Sequence, residues 1–376
     1  MVLPPRRVLV TGATGNVGTA LLRRLAREGV AVSGVARRTP SPESTLPPAE
    51  RSPAAPVRWH GIDLSAAWAT GALREAMEDA DAVVHLAWRL QPSRTPADRA
   101  GLRAVNVNGT RAVVEAARSA GVPHLVHASS TGVYAPVPDP LRKQPVDESW
   151  PRTGVPTSAY SRDKVAAEDL LNAVEAEGRH GPGGPAVARV RPGLVLQRAA
   201  GAEIARYFGG PFLPASLLGG AGRRRTRVLP VLPLPEEFVV PVVHADDLAD
   251  ALWHLLAAGP EHATGAFNVA ADDALGPVAI AEGLGARRRV GAPVSLLRSA
   301  ADASWRARLQ PTDPGWVDLA AGTPLLDCSR LKALGWRPTT TARAALDDLV
   351  AGMRAGDGGG TPVLAPRGAL HGRIAV

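Results

Sequence analysis

The sequence predicts an α/β protein, a doubly wound parallel sheet with a smaller lobe toward the C-terminus. Three observations predict it. Short Val-rich runs alternate with helical patterns through the first half of the 376 residues. Several of those runs are apolar at consecutive positions, as strands covered on both faces must be. A glycine-rich turn joins the first strand to the first helix.

RVLVTG (residues 7–12) reads as the first strand, and GTALLRRLAREG (18–29) as a helix with Leu21, Leu22 and Leu25 on one face and Gly29 as its stop. VAVSGVAR (30–37) and VRWHGID (57–63) read as strands, and ADAVVHLAW (80–88) as a strongly apolar one. NVNGTRAVVEAARSAG (106–121) is a helix pattern and HLVHASS (124–130) another strand. Residues 1–190 therefore form the expected main domain. From 191 to about 350 the periodicity loosens into the lobe, with Pro and Gly gathered in 209–235. The patterns of 239–259 and 265–270 send the chain back through the main domain near 238–270, and the Gly-rich 356–376 is expected to be a flexible tail.

Lys and Arg number 43 against 35 Asp and Glu, a net +8, and 45% of residues are hydrophobic. That supports a large core. The excess is scattered Arg without a zinc-finger, helix-turn-helix or RNA-binding signature, so no nucleic-acid partner is expected. The basic run Arg223, Arg224, Arg225 and Arg227 reads first as a solvated loop. Cys328 is the single cysteine, which rules out an intrachain disulfide and gives no thiolate cluster for a structural metal. MVLPPRRVLVTGATG carries no apolar signal core, and no window reaches the length of a membrane span. A cytoplasmic location, no metal and no membrane contact are expected.

VTGATGNVG (10–18) sets Gly12, Gly15 and Gly18 between strand and helix. Glycines suit this place because a pyrophosphate must approach backbone N–H groups at a helix N-terminus, where the dipole favours anions. Thr14, Asn16 and Val17 complete the expected dinucleotide loop of a Rossmann-type fold. At the end of the second strand an acidic residue would bind both ribose hydroxyls of NAD, but Ala36 and Arg37 stand there. Arg37 either pairs with a 2′-phosphate, favouring NADP(H) over NAD(H), or is a solvated charge. Asp63, at the end of the third strand, either meets the adenine amino group or caps the next turn; Leu64 beside it joins the expected cofactor contacts.

PTSAYSRDKVAAEDLL (156–171) places Tyr160 four residues before Lys164. On a helix the two share a face. By spacing alone the pair is either an ordinary helix surface or a catalytic dyad. HLAW (85–88), NVNGT (106–110), SSTGVYA (129–135), YSRDK (160–164), RPG (191–193), VHADDLADAL (243–252) and LGWRP (334–338) decide between them. With the glycine loop, these motifs in this order resemble the extended short-chain dehydrogenase/reductase family, also called NAD-dependent epimerase/dehydratases, over about residues 6–350.

The resemblance implies that Ser130, Tyr160 and Lys164 are catalytic. It implies that Leu86, Ala87, Asn106 and Pro192, with Tyr160 and Lys164, touch the cofactor, with Asn108 as the alternative to Asn106. Trp88, Arg89, Thr131 and Tyr134 are expected at the substrate, although Trp88 and Tyr134 read equally well as packing residues. The lobe is then substrate-binding, Asp246 and Asp247 are structural, and a homodimer through the Tyr-Lys helix is expected. Bringing a Tyr from its ordinary value near 10 to about 7 takes roughly 4 kcal/mol of preferential phenolate stabilisation, and a close Lys ammonium is expected to supply much of it.

The activity so implied is hydride transfer to or from a carbonyl or secondary alcohol, with Tyr160 moving the proton. Nucleotide-sugar members carry an Arg shortly before their HxDD motif. Here EEFVVPVVHADD (236–247) has Val240 in that place. A nucleotide-sugar epimerase or dehydratase with retained NAD is therefore the alternative, and a non-catalytic dinucleotide sensor the third reading.

Overall fold

The structure is a computed structural model that describes residues 3–40, 57–90, 93–138, 143–178, 184–204, 231–310, 312–356, 358, 361 and 363–364. The run Arg223–Arg227 lies outside these residues, as does most of 209–235. The first half contains β1 (Arg7–Thr11), α1 (Asn16–Arg27), β2 (Ala31–Ala36), β3 (Arg58–Gly61), α2 (Ala69–Ala76), β4 (Ala82–His85), α3 (Pro96–Arg103), α4 (Gly109–Ser119), β5 (His124–Ala128), α5 (Ala159–Gly178) and β6 (Ala186–Pro192). Then come β7 (Leu194–Leu196), α6 (Gly201–Ile204), β8 (Leu232–Leu234), β9 (Val240–His244), α7 (Ala245–His262), β10 (Gly265–Val269), β11 (Ala274–Leu275) and α8 (Pro277–Gly283). The chain continues through β12 (Arg289–Gly291), α9 (Val294–Arg306), α10 (Gly315–Gly322), α11 (Ser329–Lys332) and α12 (Ala342–Ala355).

The main sheet has seven strands in the order β10-β6-β5-β4-β1-β2-β3, every neighbouring pair parallel. Side chains alternate across it with a period of two. Val8 and Val10 enter one apolar cluster with Leu21 and Leu25 of α1 and Leu248, Leu252 and Leu255 of α7. Leu9 enters the opposite one with Leu73 of α2, Val113 of α4 and Leu171 of α5. Each such side chain contributes about 1.5–3 kcal/mol by leaving water. Consecutive apolar residues in β1 are thus required by two covered faces. The smaller sheets are β11-β9-β7 and β12-β8, and α12 lays Leu346, Leu349 and Val350 on the first of them in a separate cluster with Val242 and Leu275.

Several boundaries differ from the sequence expectation. The strand expected over 80–88 pairs only through His85, and Leu86–Trp88 leave the sheet edge after Leu86 N–H donates to the Thr11 carbonyl at 3.1 Å. The helix expected from Asn106 is preceded by α3 and a π-helical turn at Ala104–Asn108. β6 was not separated from the loosening pattern around 190, although it is the most extensively buried run of that region. Within the return segment, α7 and β10 join the main sheet and its cover, whereas β9 belongs to the small sheet.

The tail expected to be flexible from 356 is packed in part. Gly356 ends α12 in the left-handed region at φ 67°, as a helix-terminating glycine does. Thr361 and Leu364 are fully buried, and the Thr361 hydroxyl donates to the Thr14 carbonyl at 2.7 Å. Residues 365–376 lie outside the described ones.

Candidate active site at the carboxyl edge

The strand order reverses between β1 and β4, and the loops at that switch point form the crevice where open parallel sheets bind ligands. Gly12, at φ +69°, brings the two loops together: a Cβ there would stand 2.7 Å from the Ala87 nitrogen. A Cβ on Gly18 would stand 2.3 Å from the Gly12 carbonyl oxygen. Both glycines are demanded by the protein's own backbone. Gly15 is different, since a Cβ there would meet only the Gly12 oxygen at 3.4 Å. The chain's packing does not need this glycine, and the missing side chain leaves room for a group over the α1 N-terminus. Gly15 is the N-cap of α1, with no side-chain cap and no acidic residue in the first turn. The first N–H groups of the helix therefore keep their affinity for an anion. These residues fit a dinucleotide pyrophosphate.

Around this loop the other expected cofactor residues fall as follows. Asn16 is held by the lobe, its amide donating to the Val195 carbonyl at 3.1 Å and its carbonyl oxygen accepting from Gln197 at 2.6 Å. Val17 is half-buried against the α1–α7 cluster. Arg37 is exposed just after β2. Asp63 caps its own turn, accepting from the Ser65 N–H and hydroxyl at 2.9 and 2.7 Å, and the Ser65 hydroxyl leads the effects that hold its carboxyl below the usual range. Leu64 is buried against Gly109. Leu86 and Ala87 are half-buried, and Pro192 is buried at the end of β6.

Ser130, Tyr160 and Lys164 come together beside these loops. Ser130 follows β5 and caps a 3-10 turn at Thr131–Val133, its Oγ accepting from Gly132 N–H at 3.0 Å. Tyr160 opens α5 and hydrogen-bonds Ser130; burial outweighs that bond and pushes the phenol up to about 12. One turn on, Lys164 is buried, its ammonium donating to the Ala128 carbonyl at 2.7 Å and lying 3.5 Å over the Trp88 ring. Desolvation brings it down to about 7, against the pull of Glu168 and Asp163.

The ammonium lies 5.8 Å from the Tyr160 ring centroid, directed at a carbonyl and an indole. Burial disfavours the charged form of each group, raising the phenol and lowering the ammonium.

The other expected contacts divide. Asn106, not the exposed Asn108, faces inward: its Oδ1 accepts from Arg89 N–H at 2.8 Å and its Nδ2 donates to the Arg89 carbonyl at 2.9 Å. Arg89 and Trp88 are half-buried at this rim and Thr131 is buried. Trp88 meets Tyr160 edge-on at 6.1 Å. Tyr134 turns away into the core, its hydroxyl donating to Asn268 Oδ1 at 2.6 Å and accepting from Arg191 at 3.1 Å. It is fully buried, so a substrate role is replaced by a packing one. Val240 packs beside the α12 cluster, and Asp247 binds the Thr339 and Thr340 N–H groups, both at 3.0 Å, tying the lobe to α7.

Sequence reasoning missed three parts of the site. Thr11, His85, His127 and Arg189 stand in register across four strands, on the face that also carries Leu9, Val83, Leu125 and Val187. His85 is buried and held down to about 3 by desolvation, hence neutral. The Thr110 hydroxyl donates to the Asn106 carbonyl at 2.6 Å. His85 Nε2–H must therefore donate to Thr110 at 3.0 Å, and Nδ1 accepts from Thr11 at 2.6 Å. This chain fixes the π-helical turn that presents Asn106. The His of HLAW was the available signal. Second, the buried Glu168 carboxylate takes two bonds from Arg191, at 2.9 and 2.6 Å, and one from Ser129 at 2.5 Å. Third, Trp316 of α10 lies 5.1 Å from Tyr160 at 33°; nothing near it in sequence marks it.

Fold and loop together define a Rossmann-type α/β protein, and comparison with known proteins narrows the class. The model of the NAD dependent epimerase/dehydratase family matches residues 8–183. The UDP-glucose 4-epimerase of Mycolicibacterium smegmatis is 36% identical over 167 residues, 44% of this chain and 50% of that protein. The chain spans about half the length of several of the curated relatives it matches. A 3-diazoavenalumate denitrifying reductase from a Streptomyces species is 30% identical over 349 residues, 89% of this chain and 96% of that one. The crystal structure of Thermus thermophilus UDP-glucose 4-epimerase complexed with NAD shares the fold, with a TM-score of 0.63 at 23% identity, covering 93% of this chain and 99% of that one. This chain belongs to the NAD-dependent epimerase/dehydratase family, the extended short-chain dehydrogenase/reductases. Among the described residues no helix is long and apolar enough to cross a membrane.

Proposed function

We propose that this protein is an NAD(P)-dependent oxidoreductase that reduces a carbonyl group, or oxidises the matching secondary alcohol, with Tyr160 transferring the proton. The observation that carries this reading is the meeting of Ser130, Tyr160 and Lys164 beside the Gly12–Ala87 junction of a loop shaped for pyrophosphate. The bound dinucleotide supplies the hydride. Ser130 orients the reacting oxygen, and Tyr160, protonated throughout the ordinary pH range, is suited to give its proton as negative charge develops there. That favours reduction. The relative matched almost end to end is named a reductase, which supports the same direction.

Arg37 supports NADP(H) as the cofactor, since it is exposed where the adenosine ribose is expected and the strand ends in no acidic residue. The lone, buried Cys328 is in keeping with a reducing cytoplasm. Replacement of Tyr160 by Phe tests the proposal: turnover of carbonyl substrates should fall by about 10²-fold or more, the usual weight of a general acid, with dinucleotide affinity retained. Wild-type turnover in that variant would end it. The nucleotide-sugar epimerase reading has the Mycolicibacterium match in its favour. It requires retained cofactor and no net NAD(P)H signal, whereas the reductase consumes NADPH or NADH stoichiometrically.

A further inference from the structure

We infer that the substrate is a planar aromatic carbonyl compound whose ring is received by the indoles of Trp88 and Trp316 while its carbonyl meets Tyr160 and Ser130. This deepens, and rests on, the oxidoreductase reading above.

Both indoles flank the phenol that must reach the reacting oxygen. Trp316 is tilted against the Tyr160 ring, 5.1 Å away at 33°, and Trp88 meets it edge-on, 6.1 Å away at 77°. Leu319, one turn further along α10, reaches the Gly132 backbone beside Ser130. A group adjoining a carbonyl bound at Tyr160 would lie beside these rings.

The placement of Trp316 is built in at both ends of α10. The backbone at Gly315 sits so close that a Cβ would stand 2.5 Å from the Thr157 carbonyl oxygen. Ser93 donates to Asp313 at 3.1 Å ahead of the helix, and Val137 N–H donates to the Gly322 carbonyl at 3.2 Å at its end. Arg94 anchors the preceding segment through the Trp305 and Gln310 carbonyls, at 2.8 and 2.7 Å.

Both indoles are only half-buried, so beyond their contacts with Tyr160 they leave aromatic surface at the rim on which a flat π-system can stack or meet an edge. Trp88 adds a polar element: its Nε1 is buried with no hydrogen-bond partner. A buried indole N–H ordinarily has an acceptor, and an oxygen substituent on the aromatic ring would supply one.

The test compares acetophenone with cyclohexyl methyl ketone, which has the same skeleton without the aromatic ring, in wild type, Trp316→Leu and Trp316→Phe. Leu keeps apolar bulk for folding, and Phe keeps a ring. Wild type should show a KM for acetophenone about tenfold below that for the cyclohexyl ketone, the scale of one or two ring contacts. Trp316→Leu should erase the difference in KM, and Trp316→Phe should restore most of it. Equal KM values in wild type, or an undiminished preference in Trp316→Leu, overturn the inference while leaving the reductase standing. If neither ketone is reduced with NADPH or NADH, calorimetric titration of acetophenone separates the two ideas. Binding weakened by Trp316→Leu keeps the aromatic site and rejects the reductase, and absence of binding rejects the aromatic site as well.

Discussion

Lys164, proposed to serve the chemistry, is placed at the expense of stability. Its pKa falls from 10.5 to about 7 because burial disfavours the charged form. Between those values the unfolded chain binds a proton that the folded chain does not, so stability rises with pH across that window. Below about 7 both states are charged and the cost of burying the ammonium is present in full. Lys164→Met should therefore abolish turnover yet raise the melting temperature, by more at pH 6 than at pH 9, as thermal melts at the two pH values would show. A variant less stable than wild type at pH 6 would contradict this. Arg37 acts at the same scale. Arg37→Ala should raise KM for NADPH by about tenfold or more, the weight of a charge-assisted phosphate contact, and leave that for NADH within about twofold. Equal effects on both cofactors would remove Arg37 from the ribose site.

The loop from β1 to α1 combines two kinds of glycine requirement in one element. Gly18→Ala drives a Cβ to 2.3 Å from the Gly12 carbonyl oxygen, where backbone must shift, and should destabilise the protein by about 1–3 kcal/mol or more in denaturant melts. Gly15→Ala meets nothing nearer than 3.4 Å at an ordinary negative φ. It should melt within about 0.5 kcal/mol of wild type while dinucleotide affinity measured by calorimetry falls at least tenfold. A Gly15→Ala protein with full affinity would place the pyrophosphate elsewhere. The contrast was not legible in GATGNVG, where the three glycines look alike. Only the approach of Ala87 from β4 and the turn of α1 over Gly12 distinguish them.

At the scale of the whole molecule, Glu168 joins the parts that must agree for the site to exist. It lies on α5 one turn beyond Lys164, takes Arg191 from β6, and binds Ser129, the neighbour of Ser130. Arg191 in turn reaches Tyr134 and the Glu148 carbonyl. Glu168→Ala leaves the Arg191 guanidinium buried without its carboxylate, and should cost about 3–5 kcal/mol in chemical denaturation. Partial relief is expected in the double variant with Arg191→Met. A loss under 1 kcal/mol would show the clamp to be dispensable.

Much of this protein was determined by the sequence alone. Runs apolar at consecutive positions, alternating with helical ones, dictate a parallel sheet covered on both faces, and a glycine turn between the first strand and helix raises the expectation of an anion site at its edge. Those are local consequences of chain geometry, and Ser130, Tyr160 and Lys164 were legible because their motifs are contiguous. Tertiary structure decided the rest. Tyr134 read equally well as a pocket or a packing residue until Arg191 and Asn268, distant in sequence, engaged its hydroxyl in the core. Thr361 lay in a stretch without periodicity, yet its hydroxyl reaches the carbonyl of Thr14. Trp316 gains its place only because α10 is pinned against Gly132 and Thr157. The phenol and ammonium take their proton affinities from burial, which depends on everything packed around them, and no spacing of residues along the chain encodes that directly.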